Sequence, residues 1–340
     1  MHLFIQIPCF NEEKTLPETL RGIPRSMPGV DRVSVLIIDD GSTDRTVDTA
    51  RANGVDHVVK FPRNRGLAYA FMAGIDACLR LGADIIVNTD ADNQYCGADI
   101  PKLVQPILDG KADLVVGDRQ VTTIEHFSPL KKGLQVFGSW VVRQAAKGVD
   151  VADTTSGFRA WSREAALRMF LVNEFTYTLE TIIQAGQHRA AVLSVPIRTN
   201  PMTRKSRLFK SIGSYVRQSI GTIIRIYTMY RPLRTFLTLS AICFLVGLAL
   251  GVRFLYYYFS AEGSGHVQSL ILAAIVLLAS FQLFMSGLLA DLIAANRKLL
   301  ESIHLRVRKI ETGRQEPSYL HPPDPHTKEP GRPADEGPTS

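Results

Sequence analysis

Two long stretches of the sequence carry no charged residue, and they constrain the fold more than any other feature. The first covers residues 235–252 and the second covers residues 267–290. A helix needs about 20 apolar residues to cross the hydrocarbon core of a bilayer. Helices buried in a soluble core rarely run this long without a charge, which makes that alternative weaker. We therefore predict a transmembrane hairpin over residues 235–295.

Charges on either side of the hairpin predict its orientation. The connecting segment SAEGSGH (260–266) contains no Lys or Arg, whereas the outer flanks are basic. Their basic residues are Arg231, Arg234, Arg297, Lys298, Arg306, Arg308 and Lys309. Loops rich in Lys and Arg stay on the cytoplasmic side. We therefore predict a multi-pass protein of the cytoplasmic membrane, with both termini in the cytosol and Tyr256, Tyr257 and Tyr258 at the far interface.

Positive charge is concentrated next to the hairpin. The formal net charge is +7, and no Asp or Glu occurs between Glu180 and Glu262. Segment 209–234 places apolar residues at near-helical spacing with arginines between them, which suits a helix in an anionic membrane surface. Packing of this helix on the soluble domain is the alternative. We assign the charge to a membrane partner and not to nucleic acid. A basic cytosolic helix over 296–311 and a disordered Pro-rich tail over 312–340 complete the predicted organisation.

The cysteines and the first residues predict a cytosolic location for the N-terminal part. Four cysteines are scattered along the chain without any CxxC spacing, so neither a disulfide framework nor a zinc site is expected. The start, MHLFIQIP, has no basic segment, and its apolar run has the length of a strand. We therefore expect no cleaved signal peptide.

Residues 1–208 are predicted to form an α/β domain. Short β-branched runs alternate there with amphipathic segments; the runs are LFIQIP, VSVLIIDD, HVVKF, ADIIVNTDAD, ADLVVGDR and AAVLSVPI. Helices are predicted over 12–21, 43–53, 66–81 and 100–108. This alternation predicts a mostly parallel sheet with helices on both faces. In such sheets, ligands bind at the carboxyl ends of the strands.

Acidic residues follow one of the apolar runs, in the motif NTDADNQ. Two carboxylates separated by one residue at a strand end are hard oxygen ligands, which hold Mg²⁺ or Mn²⁺ together with a diphosphate. We assign Asp92 as a metal ligand, with Gln94 as a neutral oxygen donor beside it. Asp90 is expected to orient the bound sugar or to act as a base for a hydroxyl acceptor.

A second acidic motif, DDGSTD, ends an earlier strand. Here Asp39 is predicted to bind a ribose or a base edge, while Gly41 permits a tight turn. For Asp40 and Asp44 we favour helix capping and solvent exposure over a catalytic role.

Six motifs occur in the order seen in a known family: PCFNEE, IIDDGSTD, NRG, DADNQ, VVGDR and TTSGFRAW. Up to about Arg207, the chain resembles glycosyltransferase family 2 enzymes of the polyisoprenyl-phosphate hexose synthase type, such as dolichyl-phosphate mannose synthases. The resemblance implies a GT-A fold and a divalent cation. It also implies transfer of a sugar, with inversion, from a UDP- or GDP-linked donor to a polyprenyl phosphate. The sequence leaves the oligomeric state open, including a homo-oligomer.

The resemblance also assigns site residues. The nucleotide contacts fall on Pro8, Phe10, Glu12, Asp39, Asp90 and Ala91. Asp90, Asp92 and Arg119 take the catalytic positions. Arg119, Ser156 and Arg159 match positions around the acceptor phosphate, and Glu180 matches an acid of the same region. Packing or surface exposure is the alternative reading for Ser156 and Glu180.

Further acceptor contacts are predicted from basic residues. Lys131 and Lys132 stand where relatives often carry arginines, and a lysine cannot grip a phosphate bidentately. We include Lys132 among the acceptor residues, with a solvated lysine pair as the alternative. Arg204 and Lys205 begin the basic stretch that leads to the membrane, and we predict that they also contact the lipid phosphate.

Other functions are weighed against sugar transfer to a lipid phosphate. A lipid hydroxyl such as that of diacylglycerol would require a general base. A processive polysaccharide synthase usually carries a QxxRW motif and more spans, and a nucleotidyltransferase usually carries a Gly-rich basic loop after its first strand. A non-catalytic membrane scaffold would be expected to have lost some acids, but Asp39, Asp90 and Asp92 are intact.

Overall fold

The structure is a computed structural model that describes residues 1–120, 149, 151–171, 177–201, 228, 232–260 and 267–312. A seven-stranded sheet forms the N-terminal part, in the order β3-β2-β1-β4-β6-β5-β7. Its strands are β1 (His2–Cys9), β2 (Arg32–Asp39), β3 (His57–Lys60), β4 (Ile85–Asn88), β5 (Leu114–Asp118), β6 (Arg159–Ser162) and β7 (Val192–Pro196).

Eight helices accompany the sheet in the described residues. They are α1 (Leu16–Gly22), α2 (Thr46–Ala52), α3 (Leu67–Arg80), α4 (Ile100–Leu108), α5 (Arg163–Leu167), α6 (Thr178–Gln187), α7 (Pro232–Phe259) and α8 (Val267–Glu311). The predicted helix over 100–108 has the observed bounds of α4. The helix predicted over 12–21 begins four residues late, because Asn11 adopts a left-handed backbone conformation (φ 56°) and the chain turns before Leu16.

The predicted α/β class and the mostly parallel sheet are confirmed. β1 pairs in parallel with β2 and β4, and β5 pairs in parallel with β7. Only β6, which the sequence analysis did not predict, runs antiparallel, between β4 and β5. Since β6 is reversed, its first residue, Arg159, lies beside Asn88 at the carboxyl edge of the parallel strands.

Alternating side chains of the sheet fill two apolar cores, one on each face. Phe4, Ile86 and Trp161 pack with α3, α5 and α6 on one face. Leu3, Ile5 and neighbours pack with α1 and α4 on the other. Side chains of a strand point alternately to opposite faces, so a sheet covered on both faces requires the nearly continuous apolar runs seen in the sequence. This double burial makes the strand ends rigid supports for a site.

Helices α7 and α8 form a hairpin, and each of them is long and apolar enough to cross a membrane. They pack closely at small residues: a Cβ at Gly247 would lie 2.8 Å from Cγ of Leu277. The hydroxyl of Ser240 donates to the carbonyl of Ser280 (2.9 Å), and that of Ser280 donates to the carbonyl of Ser240 (2.9 Å). Small residues and interhelical hydrogen bonds are the usual means of helix association in lipid.

The observed helices differ from the predicted segments at one boundary. α8 continues without interruption from Val267 to Glu311, so the predicted basic helix over 296–311 is the last part of the second spanning helix. Most of the predicted interfacial segment 209–234 and nearly all of the predicted tail 312–340 lie outside the described residues. The proposed domain boundaries therefore stay predictions.

Candidate active site

The carboxyl edge of the sheet brings together the acidic residues that the sequence analysis singled out. β2 ends at Asp39, which pairs in register with Cys9, the last residue of β1. β4 ends at Asn88 and leads directly to Asp90 and Asp92. Arg119 follows β5 at the same edge. One open edge of the sheet thus carries carboxylates from two strands and a guanidinium from a third.

Asp39 offers a buried acceptor at this edge. Its side chain is fully buried, and Oδ1 accepts a hydrogen bond from the backbone N–H of Ser42 (3.1 Å). Oδ2 is buried with no hydrogen-bond partner among the described residues. The turn after Asp39 needs Gly41, whose φ is +73° and whose Cβ would lie 2.6 Å from the backbone N of Asn64. A buried carboxylate oxygen without a donor is costly, so this atom is suited to an N–H or O–H of a ligand.

Asp40 and Asp44 stabilise helix starts. The two oxygens of Asp40 accept the backbone N–H groups of Arg65 (2.7 Å) and Gly66 (2.9 Å), immediately before α3. Asp44 Oδ1 accepts the N–H of Thr46, the first residue of α2 (3.0 Å). These contacts agree with the predicted helix capping. The predicted solvent exposure of Asp40 is wrong, because Asp40 is only 4% exposed.

The other residues assigned to the nucleotide lie around Asp39. Pro8 is buried within β1, whereas Phe10 is 40% exposed just beyond it. Glu12 is nearly buried and accepts a hydrogen bond from Thr15 Oγ1 (2.7 Å). Ala91 is buried on the β4 side. Their contacts with a nucleoside stay predictions, since the structure gives only their placement.

Asp90 and Asp92 differ in their surroundings. Asp90 is only partly exposed, and this burial, together with the negative charge of Asp92, raises the pKa of Asp90 to about 7. Asp92 Oδ1 accepts the backbone N–H of Gln94 (3.1 Å), which holds the turn through Asn93 (φ 57°). Asn200, which the sequence analysis did not single out, stabilises this turn by donating its side-chain amide to the carbonyl of Asn93 (2.9 Å).

The described residues contain no group of three or more His, Cys, Asp or Glu that could hold a metal ion by themselves. Mg²⁺ is commonly bound through one or two carboxylates together with substrate phosphates, and not by an all-protein cage. Asp92 meets this requirement, since it is partly exposed at the edge and only its Oδ1 is engaged by the turn. The donor set therefore fits a cation that arrives with a diphosphate.

Arg119 is held in place by Asp153, a residue that the sequence analysis missed. Nε donates to Asp153 Oδ2 (2.6 Å), and Nη2 donates to Asp153 Oδ1 (3.1 Å) and to Thr155 Oγ1 (2.8 Å). Burial raises the pKa of Asp153, but the hydrogen bonds and charge of Arg119 outweigh it and leave the pKa below its usual range. Nη1 of Arg119 has no hydrogen-bond partner among the described residues, so the fork is fixed with one arm available.

Ser156, Arg159 and Glu180 lie inside the protein. Arg159 is fully buried, and four of its N–H groups are used internally: Nε donates to Ser156 O (2.7 Å), Nη1 to Thr178 O (2.7 Å) and Thr181 Oγ1 (2.6 Å), and Nη2 to Thr154 O (2.9 Å). The expected direct contact of Arg159 with an acceptor phosphate stays a prediction, and its internal hydrogen bonds favour an indirect role through the loop of residues 154–156. Ser156 and Glu180 are buried as well, in line with the packing alternative.

A buried hydrogen-bond network of polar side chains lies next to Asp90. Asn88, at the end of β4, donates to the carbonyl of Gly157 (2.9 Å) and to Tyr177 Oη (3.0 Å). Gln6 Nε2 donates to Asn88 Oδ1 (3.0 Å), and the N–H of Gly157 donates to Tyr95 Oη (3.0 Å). Polar residues inside two apolar runs, Gln6 in LFIQIP and Asn88 in IIVNTD, were the signals of this network in the sequence. It fixes the loop before β6 against Asp90.

Gly157→Ala is expected to lower the free energy of unfolding by about 1–3 kcal/mol, the usual cost of overpacking, and to reduce catalysis. The new methyl would lie 2.7 Å from Tyr177 Oη and 3.2 and 3.3 Å from the two carboxylate oxygens of Asp90. Denaturant unfolding and transfer assays measure both effects. A double-mutant cycle with Tyr177→Phe removes the atom closest to the new methyl. The effects of the two substitutions on the free energy of unfolding should then be strongly non-additive. Simple additivity would contradict the predicted clash.

Three residues assigned to the acceptor phosphate, Lys132, Arg204 and Lys205, lie outside the described residues, as does the neighbouring Lys131. Their contacts stay predictions.

In this chain, a mixed α/β sheet with carboxylates at its open edge is followed by an apolar hairpin long enough to span a membrane. The profile described as Glycosyl transferase family 2 matches residues 4–170, and that described as GtrB C-terminal hairpin matches residues 231–295. An uncharacterized glycosyltransferase of Mycobacterium bovis is 32% identical over 62% of this chain and 92% of its own length. The chain belongs to glycosyl transferase family 2, as the sequence analysis predicted.

Two further relatives have names that state an activity. The UDP-N-acetylglucosamine–dolichyl-phosphate N-acetylglucosaminyltransferase of Methanococcus voltae is 28% identical over 58% of this chain and 85% of its own length. The polyprenol monophosphomannose synthase of Mycolicibacterium smegmatis is 28% identical over 63% of this chain and 82% of its own length. These relatives transfer sugars to polyprenyl-type phosphates according to their names.

A solved structure supports the fold. Glucosyl-3-phosphoglycerate synthase from Mycobacterium tuberculosis, in complex with Mn²⁺, UDP-glucose and phosphoglyceric acid, aligns with a TM-score of 0.53. It is 22% identical, and the alignment covers 66% of this chain and 79% of that chain. This structural similarity establishes a GT-A fold for the N-terminal part of the chain.

Proposed function

We propose that this glycosyltransferase moves a monosaccharide from a UDP- or GDP-linked donor to a polyprenyl phosphate at the cytosolic face of the membrane, with inversion at the anomeric carbon. The observation that carries the proposal is the common edge occupied by Asp39, Asp90, Asp92 and Arg119, in a chain that continues into two helices able to span a bilayer. The activities named for the relatives support a polyprenyl phosphate as the acceptor.

The donor side of the site would be built on the carboxylates. Oδ2 of Asp39 would accept a hydrogen bond from the nucleoside, since that atom is buried and no described residue donates to it. Asp92, with Gln94 beside it, would hold a divalent cation, Mg²⁺ or Mn²⁺. When bound, such a cation neutralises the charge that develops on the departing nucleoside diphosphate. Asp90 would orient the sugar between these groups.

The acceptor side requires a cationic group that binds the phosphate more than it requires a general base. A phosphomonoester has a second pKa of roughly 6, so its oxygen is already charged near neutral pH. In-line placement at the anomeric carbon is then the main task of the protein. Arg119 would contribute its Nη1, because Asp153 fixes the orientation of the guanidinium. Arg159 would act indirectly by holding the 154–156 loop.

The proposed reaction is tested with the full-length protein in detergent and in proteoliposomes. A panel of UDP- and GDP-sugars is supplied with either a polyprenyl phosphate or diacylglycerol, and the released nucleotide and the lipid product are identified by mass spectrometry. We expect one nucleotide sugar to be consumed with formation of a polyprenyl-phosphate sugar. Product formed only with diacylglycerol would overturn the acceptor assignment, and hydrolysis without any lipid product would overturn both.

The proposed topology predicts which side of the membrane each loop faces. In a background lacking the four native cysteines, Ser264→Cys should react with a membrane-impermeant maleimide added to intact cells, because its loop carries no Lys or Arg. The matched variant Ser318→Cys, in the C-terminal segment, should react only after the cells are permeabilised. The reverse labelling pattern would place the active-site edge away from cytosolic nucleotide sugars.

A further inference from the structure

The second spanning helix extends far beyond the membrane. α8 has 45 residues, which corresponds to a length of about 68 Å at about 1.5 Å per residue. Its uncharged part ends at Ala290, so the remaining residues extend about 30 Å further. The last part of this helix, residues 297–311, packs one face against the sheet domain.

Arg308 is the centre of this contact. It is 4% exposed, and its Nη1 donates to the carbonyls of Ala166 (3.2 Å), Leu167 (3.3 Å) and Met169 (2.9 Å). Ala166 and Leu167 end α5 and Met169 follows it, and carbonyls at the C-terminal end of a helix carry partial negative charge. Nη2 lies 3.5 Å from a carboxylate oxygen of Asp76 on α3. One buried guanidinium thus joins α8 to two helices of the sheet domain.

Weaker contacts surround Arg308. Glu311 pairs with Arg80 (3.1 Å), Lys309 with Glu164 (3.5 Å), and Glu301 with His188 (3.9 Å). Exposed ion pairs contribute little stability individually, so these pairs mainly help to orient the end of α8. Leu305 packs against the apolar core beneath β4 and β6. The contact therefore combines an apolar centre, a buried cation and a charged rim.

This contact lies at the edge of the sheet opposite to the active site. α3 ends at Arg80 just before β4 begins at Ile85, and β6 ends at Ser162 just before α5. Ile85 and Ser162 are register partners at the amino edge, whereas Asp90 follows β4 at the carboxyl edge. The first connection to the hairpin leaves from the carboxyl edge, where the N–H of Asn200 donates to the carbonyl of Gln94 (2.9 Å). The hairpin is thus joined to both edges of the domain.

We propose that residues 297–311 of α8 form a clamp that sets the orientation of the active-site edge relative to the membrane, with Arg308 as its positioning residue. The proposal rests on the proposed function, because orientation matters only if the acceptor is embedded in a bilayer. Attachment at one edge alone would let the domain rotate, so that productive encounters with a headgroup would be rare. Attachment at both edges restricts this rotation before substrate binds.

The test compares two acceptors and three variants of the full-length protein. Arg308→Met removes the charge while keeping a long side chain, Arg308→Lys restores the charge, and Arg306→Met is the matched control on the exposed face of the same helix. Transfer is measured to a long-chain polyprenyl phosphate in proteoliposomes and to a short, water-soluble prenyl phosphate. For Arg308→Met we expect at least a tenfold loss with the embedded acceptor and less than a twofold change in kcat with the soluble one.

Hydrogen–deuterium exchange reports the clamp independently of activity. In Arg308→Met, amides of 297–311 should lose protection while those of β1 and β4 keep it; Arg308→Lys should recover protection in part, and Arg306→Met should match wild type. Unchanged protection of 297–311, or equal losses with both acceptors, would overturn the clamp. If wild type used neither prenyl phosphate, the proposed function would fail, and the exchange data alone would decide whether Arg308 docks the helix.

Discussion

Asp92→Asn is expected to reduce sugar transfer by about a hundred- to a thousandfold, the usual loss when a group that stabilises transition-state charge is removed. The carboxylate is the proposed protein ligand of the cation, and an amide keeps the shape of the side chain but loses its charge. Asp92 is partly exposed and forms one backbone hydrogen bond, so the fold should survive the change. Transfer assays and calorimetry of nucleotide binding with and without Mn²⁺ measure the effect.

The matched control is Asp48→Asn, an exposed carboxylate on α2. It should transfer sugar at the wild-type rate and keep the cation dependence of nucleotide binding. In wild type, chelator should abolish transfer until Mg²⁺ or Mn²⁺ is restored. Full activity in excess chelator, or cation-dependent nucleotide binding retained by Asp92→Asn, would contradict the assignment of Asp92.

Arg119→Ala is expected to lower transfer about ten- to a hundredfold at subsaturating acceptor, because a charge-assisted hydrogen bond contributes about 1.5–3 kcal/mol. Nucleotide-sugar binding should be unaffected. The variant also leaves the carboxylate of Asp153, 2% exposed, without its cation, which by itself destabilises the fold. A loss of activity could therefore have two causes, and a second variant is needed to separate them.

Arg119→Ala combined with Asp153→Asn removes the unpaired buried charge. We expect the double variant to regain stability in thermal unfolding but to stay impaired in transfer at high salt, where general attraction to anionic headgroups is screened. Recovery of wild-type transfer by the double variant would show that Arg119 serves only to neutralise Asp153. The phosphate clamp would then lie elsewhere, and a hydroxyl acceptor would become the better interpretation.

Most of the sheet could be predicted because its strands carry a local signal. Runs such as VSVLIIDD are apolar on both faces and end at turn residues, and they correspond to β2 and its neighbours. β6 was missed because RAWS is four residues long and contains an arginine, and its pairing partners lie about 45 and 74 residues away in the sequence. No local pattern distinguishes such a strand from the rest of the motif TTSGFRAW.

The candidate site was only partly accessible to sequence reasoning. Asp39, Asp90 and Arg119 lie at one edge of the sheet, as expected, since each lies at or just after the end of a strand that could be recognised. The internal hydrogen bonds of Arg159 could not be predicted, because nothing local reveals that its guanidinium turns inward to carbonyls of the loop before it and of α6. Asp153 was missed for the same reason.

The sequence by itself determined the features that depend on local spacing and composition: two apolar segments of membrane-spanning length, an alternating α/β pattern, and acids at strand ends. Tertiary structure alone decided which distant groups meet. Arg308 reaches carbonyls some 140 positions earlier, and Arg119 meets Asp153 across 34 positions. Such contacts follow from packing of whole elements, since a buried charge must find whichever partners the folded chain presents to it.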